Sequence, residues 1–296
     1  MDNTKTMETI ATVVAAIVGI TQIFGFFTEN QSTLKILIVF LFVINLFFVF
    51  MIIKTKKDTQ AKTREYKKNL SELEYNFYKD ECVFINGINN FSEDRIEDAQ
   101  TYFRDRMVKY VTGISEIMSL HAEKDPKNGG IEVSLRCFEE DNIKEIKTAV
   151  VVPLAVSDTC NSVRKEAFSA RQNAIGRSIG KNTDFKFICD TSSTYFYSQD
   201  LTKLSDYENE NLQYAKYYRG KIVYPVKVDN HHELGYEGIL GFLIADTSDD
   251  KLFTKENEDY YINLIKLYAQ KTAELLYKYK VFLNRAENKE DNKIEE

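Results

Sequence analysis

Two apolar runs without a charged residue, 10–27 and 36–53, open the chain, separated by the short polar connection 28–35. After residue 53 the pattern changes to charged positions with periodic apolar ones. A hydrocarbon core about 30 Å thick is crossed by roughly 20 helical residues, and neither run holds a charge. The run 36–53 is apolar on every side, unlike one face of a soluble helix, and reads as membrane-spanning. The run 10–27 carries Thr12, Gly19, Thr21, Gln22 and Gly25, residue types that favour contact with another helix in lipid. It lacks a small-residue cleavage site and a stronger span follows at once, so a removed signal peptide fits less well than a second span.

Orientation follows from the basic residues. Lys54, Lys56, Lys57, Lys62, Arg64, Lys67 and Lys68 follow the second run, against Lys35 alone in the connection. The expectation is a multi-pass protein of the cell membrane, residues 1–57 forming a helical hairpin, with both termini and the soluble part cytoplasmic.

Residues 58–92 are polar and poor in Gly and Pro, with Leu70, Leu73, Tyr75, Phe77 and Tyr78 at loosely helical spacing. They predict a helical stalk that pairs with a copy of itself, although sustained heptads are absent. A helix over 93–123 follows, with Ser92 as cap and a stripe of Ile96, Ala99, Phe103, Met107, Tyr110, Val111, Ile114, Ile117 and Met118. Pro126 and Gly129-Gly130 break it. Ile131, Val133, Leu135 and Cys137 alternate with polar residues, and 146–156 is rich in β-branched residues, a hairpin whose second strand Pro153 ends early or places at an edge. A helix is expected around 163–172, an irregular insert over 177–218, and a second strand pair at 222–228 and 238–246. Thr254 reads as the cap of a final helix with the stripe Tyr261, Leu264, Ile265, Tyr268, Thr272, Leu275, Leu276 and Tyr279. The charged tail 284–296 is expected to be disordered. The elements fit an α+β fold, an antiparallel sheet flanked by helices.

The net charge of −6 and the absence of a concentrated basic stripe argue against nucleic acid as a partner. The basic cluster at 54–68 instead suits anionic membrane lipid. Cys82, Cys137, Cys160 and Cys189 are widely and irregularly spaced, in keeping with a reducing compartment and no zinc site. His121, His231 and His232 have no patterned carboxylate or cysteine beside them, and phosphate-loop and nucleophile-elbow motifs are absent, so no catalytic residues or metal ligands are assigned.

Tyr224-Pro225-Val226, then Gly238-Ile239-Leu240-Gly241-Phe242-Leu243-Ile244-Ala245-Asp246-Thr247, then Phe253-Thr254-Lys255-Glu256-Asn257 and a closing helix resemble the C-terminal half of a GAF domain. The resemblance covers residues 93–283 and is densest over 215–280; PAS domains share a related architecture without that ending. It implies a small molecule or a protein partner held between the sheet and the segment before the last strand pair.

Here that segment offers Phe185, Tyr195, Tyr197 and Tyr217 as flat faces, and Asn182, Asp184, Asp200 and Arg219 as directional polar groups. The mixture suits a planar polar ligand, such as a nucleotide or another small metabolite. The plainer reading makes the aromatics a satellite core, the Asn and Asp turn caps, and Arg219 half of an ion pair with Asp206 or Glu208. Asp246 equally suits closing the turn at 247–249.

Two functions fit. One is a noncatalytic membrane-anchored sensor, homo-oligomeric, whose ligand changes stalk pairing for a downstream signalling protein. The other is a two-span effector of bacterial anti-phage defence, in which a nucleotide signal clusters the hairpins and disrupts the membrane.

Overall fold

The structure, a computed structural model, describes residues 31–91, 95–125, 130–140, 143–159, 176–191, 193–211, 214–229 and 235–294, together with Gly19. The first apolar run, the Ser92 cap and the helix expected at 163–172 lie outside these residues. The chain divides into two units, Met1–Asn69 and Leu70–Glu296.

Helix α1 (Gln31–Asn89) contains the whole second apolar run. Among the described residues it is the one helix long and apolar enough to cross a membrane, over Ile38–Ile88, with a mean hydropathy of 2.6 in its apolar window. Phe40, Phe42, Phe47 and Phe50 on this run are exposed. The polar Asn45 is satisfied within the helix, its side-chain Nδ2 donating to the Leu41 carbonyl at 2.9 Å.

In the second unit the last turns of α1 are core rather than exposed stalk: Phe77, Phe84 and Ile88 are buried. They pack against α2 (Ile96–His121) and the final helix α5 (Glu258–Ile294). Phe84 meets Phe103 at 5.4 Å, Phe103 stacks on Tyr279 at 3.7 Å, and Phe77 meets Tyr268 edge-on at 5.3 Å. The close approach needs glycine, because a Cβ on Gly113 would come within 2.7 Å of the Phe77 ring. The stripe expected on α2 is buried from Ala99 to Met118.

Six antiparallel strands form one sheet in the order β3-β2-β1-β6-β5-β4. They are β1 (Glu132–Phe138), β2 (Val150–Val156), β3 (Arg177–Ser178), β4 (Phe196–Ser198), β5 (Gly220–Lys227) and β6 (Ile239–Thr247). β6 lies between β1 and β5 and is buried at every position, as expected of a strand covered on both faces. A register shift between Val226 and Lys227 changes its phase: Leu240, Leu243 and Ala245 face the helices, while Ile239, Phe242 and Ile244 face the other way. Pro153 sits within β2 beside a second irregularity, past the two residues that β3 pairs, so it occupies an edge as expected.

The described residues of the segment read as an irregular insert form regular elements. They include α3 (Thr183–Thr191), β4, a 3₁₀ turn at Leu201–Lys203 and the single turn α4 (Tyr214–Tyr217). The final helix begins later than the Thr254 cap predicted. Asn257 closes the preceding loop instead, its Oδ1 accepting from Thr254 N at 2.8 Å and its Nδ2 donating to the Leu252 carbonyl at 2.6 Å. The backbone then stays helical to Ile294, where a disordered tail was expected; Ala, Glu and Lys in that stretch are strong helix formers.

Candidate functional site

Alternation along β4 divides the sequence-derived site residues between the two faces of the sheet. Tyr195 and Tyr197 turn toward the helices, where the Tyr195 hydroxyl donates to Glu258 Oε1 at 3.4 Å and the Tyr197 hydroxyl to the Thr254 carbonyl at 2.9 Å. Burial, with Glu258 and Glu256 nearby, pushes the Tyr197 phenol up, so it remains a neutral donor. Asn182, Asp184 and Phe185 lie on the opposite face, brought together by the start of α3.

There Asp184, fully buried, is ion-paired with Lys221 of β5, whose side chain is also buried. The Tyr207 hydroxyl donates to Asp184 Oδ2 at 3.2 Å, and Asp184 Oδ1 accepts from Phe185 N at 2.9 Å. The Lys221 ammonium lies 5.3 Å from the Tyr218 ring centre and 5.7 Å from that of Phe185. Burial alone would lower the Lys221 pKa; the Asp184 charge overrides it and holds the amine above its ordinary value. Asn209 ties in by donating to the Tyr207 hydroxyl at 3.0 Å and accepting from Arg177 at 2.8 Å. Asn182 spans the insert, giving a hydrogen bond to the Ser178 carbonyl at 2.8 Å and taking one from Glu210 N at 3.3 Å. Lys221, Tyr207 and Asn209 were missed from sequence.

Asp200 and Arg219 make a separate clamp. Arg219 Nη2 meets Asp200 Oδ2 at 2.6 Å and its Nη1 meets Asp250 at 3.4 Å, so its partners are neither Asp206 nor Glu208. Burial raises the Asp200 carboxyl, but hydrogen bonds from Thr202 and Arg219 and the Arg219 charge outweigh it and hold it at about 2. Tyr217 packs half-buried against the insert-side core. In the turn after β6, Asp249 N donates to Thr247 Oγ1 at 3.2 Å.

Open space lies at the C-terminal end of α3. Because β4 pairs only Lys221–Val223, the edge of β5 beyond Val223 is not covered by it. A groove of about 270 Å³ runs beside that edge, lined by Cys189 at the end of α3, by Ser193 and Thr194, and by Tyr224, Pro225 and Tyr236. Gly235, with φ +61°, makes the wall possible, since a Cβ there would sit 1.9 Å from the Ile239 carbonyl oxygen. Burial and the charges of Asp190 and Glu237 push the Cys189 thiol up to about 12, which suits packing rather than nucleophilic attack. Among the described residues no group of three His, Cys, Asp or Glu is placed to hold a metal ion.

No family model and no curated protein matches the chain. Among solved structures, the GAF domain of a phosphoenolpyruvate-protein phosphotransferase (ptsP) from Coxiella burnetii is similar at 14% identity, covering 69% of this chain and 96% of its own, with a TM-score of 0.37. The GAF domain of the Acinetobacter phosphoenolpyruvate-protein phosphotransferase is 10% identical over the same shares, again at 0.37. Reduced fRMsr of Staphylococcus aureus is 11% identical over 58% of this chain and 94% of its own, at 0.33. The second unit has an α+β fold, with its long helices on one side of the antiparallel sheet and the insert on the other.

Proposed function

We propose that the chain is a membrane-anchored, noncatalytic sensor whose GAF-like unit takes a small polar ligand in the groove beside β5 and signals through α1. The observation that carries this reading is the double composition of α1: one helix contains both the exposed apolar run and Phe77, Phe84 and Ile88 of the soluble core. A ligand that alters core packing acts on the same helix that enters lipid. The run 10–27 supplies a second span, and the basic residues 54–68 keep the sensing unit cytoplasmic. The groove supports binding chemistry of a specific kind. Tyr224 and Tyr236 offer flat faces, Ser193 and Thr194 hydroxyls, and Lys227 an ammonium, in a volume suited to a compact metabolite. Asn182, Asp184 and Phe185 fix the start of α3, whose last residues Ile188 and Cys189 line that site.

The test uses the full chain, purified from its own host in detergent, by native mass spectrometry and thermal shift across metabolites. A retained or stabilising small molecule that is lost in Thr194→Val and Tyr224→Ala supports the reading. A chain that protease-protection assays find with its soluble unit outside the cytoplasm, or that binds its ligand undiminished in both variants, overturns it.

A further inference from the structure

The inner face of α1 is used up by the core, and its outer face is not. Tyr75 and Tyr78 are 66% and 61% exposed, Cys82 is half-buried, and Ile85 is only partly covered. These four residues follow a spacing of three, four and three, the repeat that keeps one seam of a helix facing a partner helix. The core residues Phe77, Glu81, Phe84 and Ile88 follow a parallel but separate stripe. A single helix therefore carries two seams, one closed within the chain and one open.

We propose that the open seam docks a second copy of this chain, the two α1 helices pairing in parallel and in register through Tyr75, Tyr78, Cys82 and Ile85. Charge complementarity identifies the occupant. With Tyr75 and Cys82 at the first core position of the repeat and Tyr78 and Ile85 at the second, Glu74 and Lys79 flank the seam. In a parallel pair each Glu74 faces Lys79 of the second copy, and the twofold axis makes two such pairs. Both residues are exposed. The next acidic flank, Glu81, is unavailable because it is held within the chain by Lys271 at 2.9 Å. Two heptads are too short a seam to bind tightly in dilute solution. This docking rests on the membrane-anchored reading, since two copies in one bilayer share an orientation and meet at a high effective concentration.

The experiment is oxidative cross-linking of the full chain in membranes with copper–phenanthroline, followed by peptide mapping of the disulfide. A Cys82–Cys82 linkage is expected to dominate and to disappear in Cys82→Ser. Tyr75→Glu with Tyr78→Glu abolishes it. Glu74→Lys slows linkage roughly two- to fivefold, and adding Lys79→Glu restores the rate. If maleimide labels Cys82 fully while no linkage forms, the seam is not a docking surface. A carbonate wash separates the two readings. A chain retained in the membrane but not linked overturns the docking alone. A chain washed off overturns the anchoring, and linkage at raised concentration in solution then decides the seam.

Discussion

The two faces of the central sheet are built on different chemistry. Against the helices the core is a run of aromatic and aliphatic contacts, with Phe77, Phe84, Phe103, Tyr268 and Tyr279 interleaved between α1, α2 and α5. Its buried hydroxyls are short-range fasteners: Ser115 donates to the Ile131 carbonyl at 2.5 Å and Ser119 accepts from Ile131 N at 2.8 Å. Beneath the insert, Phe185, Phe196 and Phe242 pack in a core that also holds a full ion pair and its polar partners Tyr207 and Asn209. Apolar contacts are non-directional and tolerate small shifts, while a buried charge pair has few good geometries and a high cost when broken. The helix face therefore holds the unit together, and the insert face fixes one arrangement of the segment that walls the groove.

Breaking the pair should give the largest effect. Lys221→Met leaves the buried Asp184 carboxyl without its cation, a loss of about 3–5 kcal/mol in denaturant unfolding of the full chain in detergent. Adding Asp184→Asn should return most of that stability; a double variant as weak as the single one would mean that packing, not charge, dominates under the insert. Phe84→Ala on the other face should cost about 3 kcal/mol, through lost apolar burial and a residual cavity, with no dependence on pH between 5 and 9. The smallest effect comes from the peripheral clamp. The native Asp200 pKa of about 2 is depressed below the ordinary carboxylate value near 4. Its contribution is therefore complete above about pH 4 and fades as pH falls toward 2. Asp200→Asn should remove a small, pH-independent stabilisation near neutral pH and flatten the acid-unfolding curve between about pH 4 and 2.

The legible parts of this fold were those with one clear period. The stripe on α2 and the continuous apolar run of β6 each announced an element and its buried face, and Pro153 its edge position. Helix α1 was harder because two stripes overlap on it: Phe77 and Tyr78 are neighbours in sequence, yet one is core and the other exposed. No spacing rule assigns them without knowing where α2 and α5 pack. The insert hid its helix because α3 is short and is held by tertiary bonds such as Glu208 N to Thr183 Oγ1, at 2.8 Å, rather than by propensity. At the site, Asp184 and Phe185 were visible as chemistry, but Lys221 looked like an ordinary strand residue. A signal existed: Lys221 shares a face with Val223, so a strand at 220–227 puts a charge in an inward position and requires a buried counter-charge.

The central place of β6 also sets an order of events during synthesis. Its partners β1 and β5 precede it in the chain, so the middle of the sheet cannot close until Thr247 has left the ribosome. The apolar run ending at Ile53 emerges long before, by about 10–40 s at elongation rates of roughly 5–20 residues per second. Until β6 arrives, β1 has an open hydrogen-bonding edge and α2 has no sheet to cover. On the membrane-anchored reading proposed above, the nascent chain reaches the bilayer as a tethered, unfinished half-domain, and a chaperone that shields the stretch between β1 and β5 has that interval in which to act.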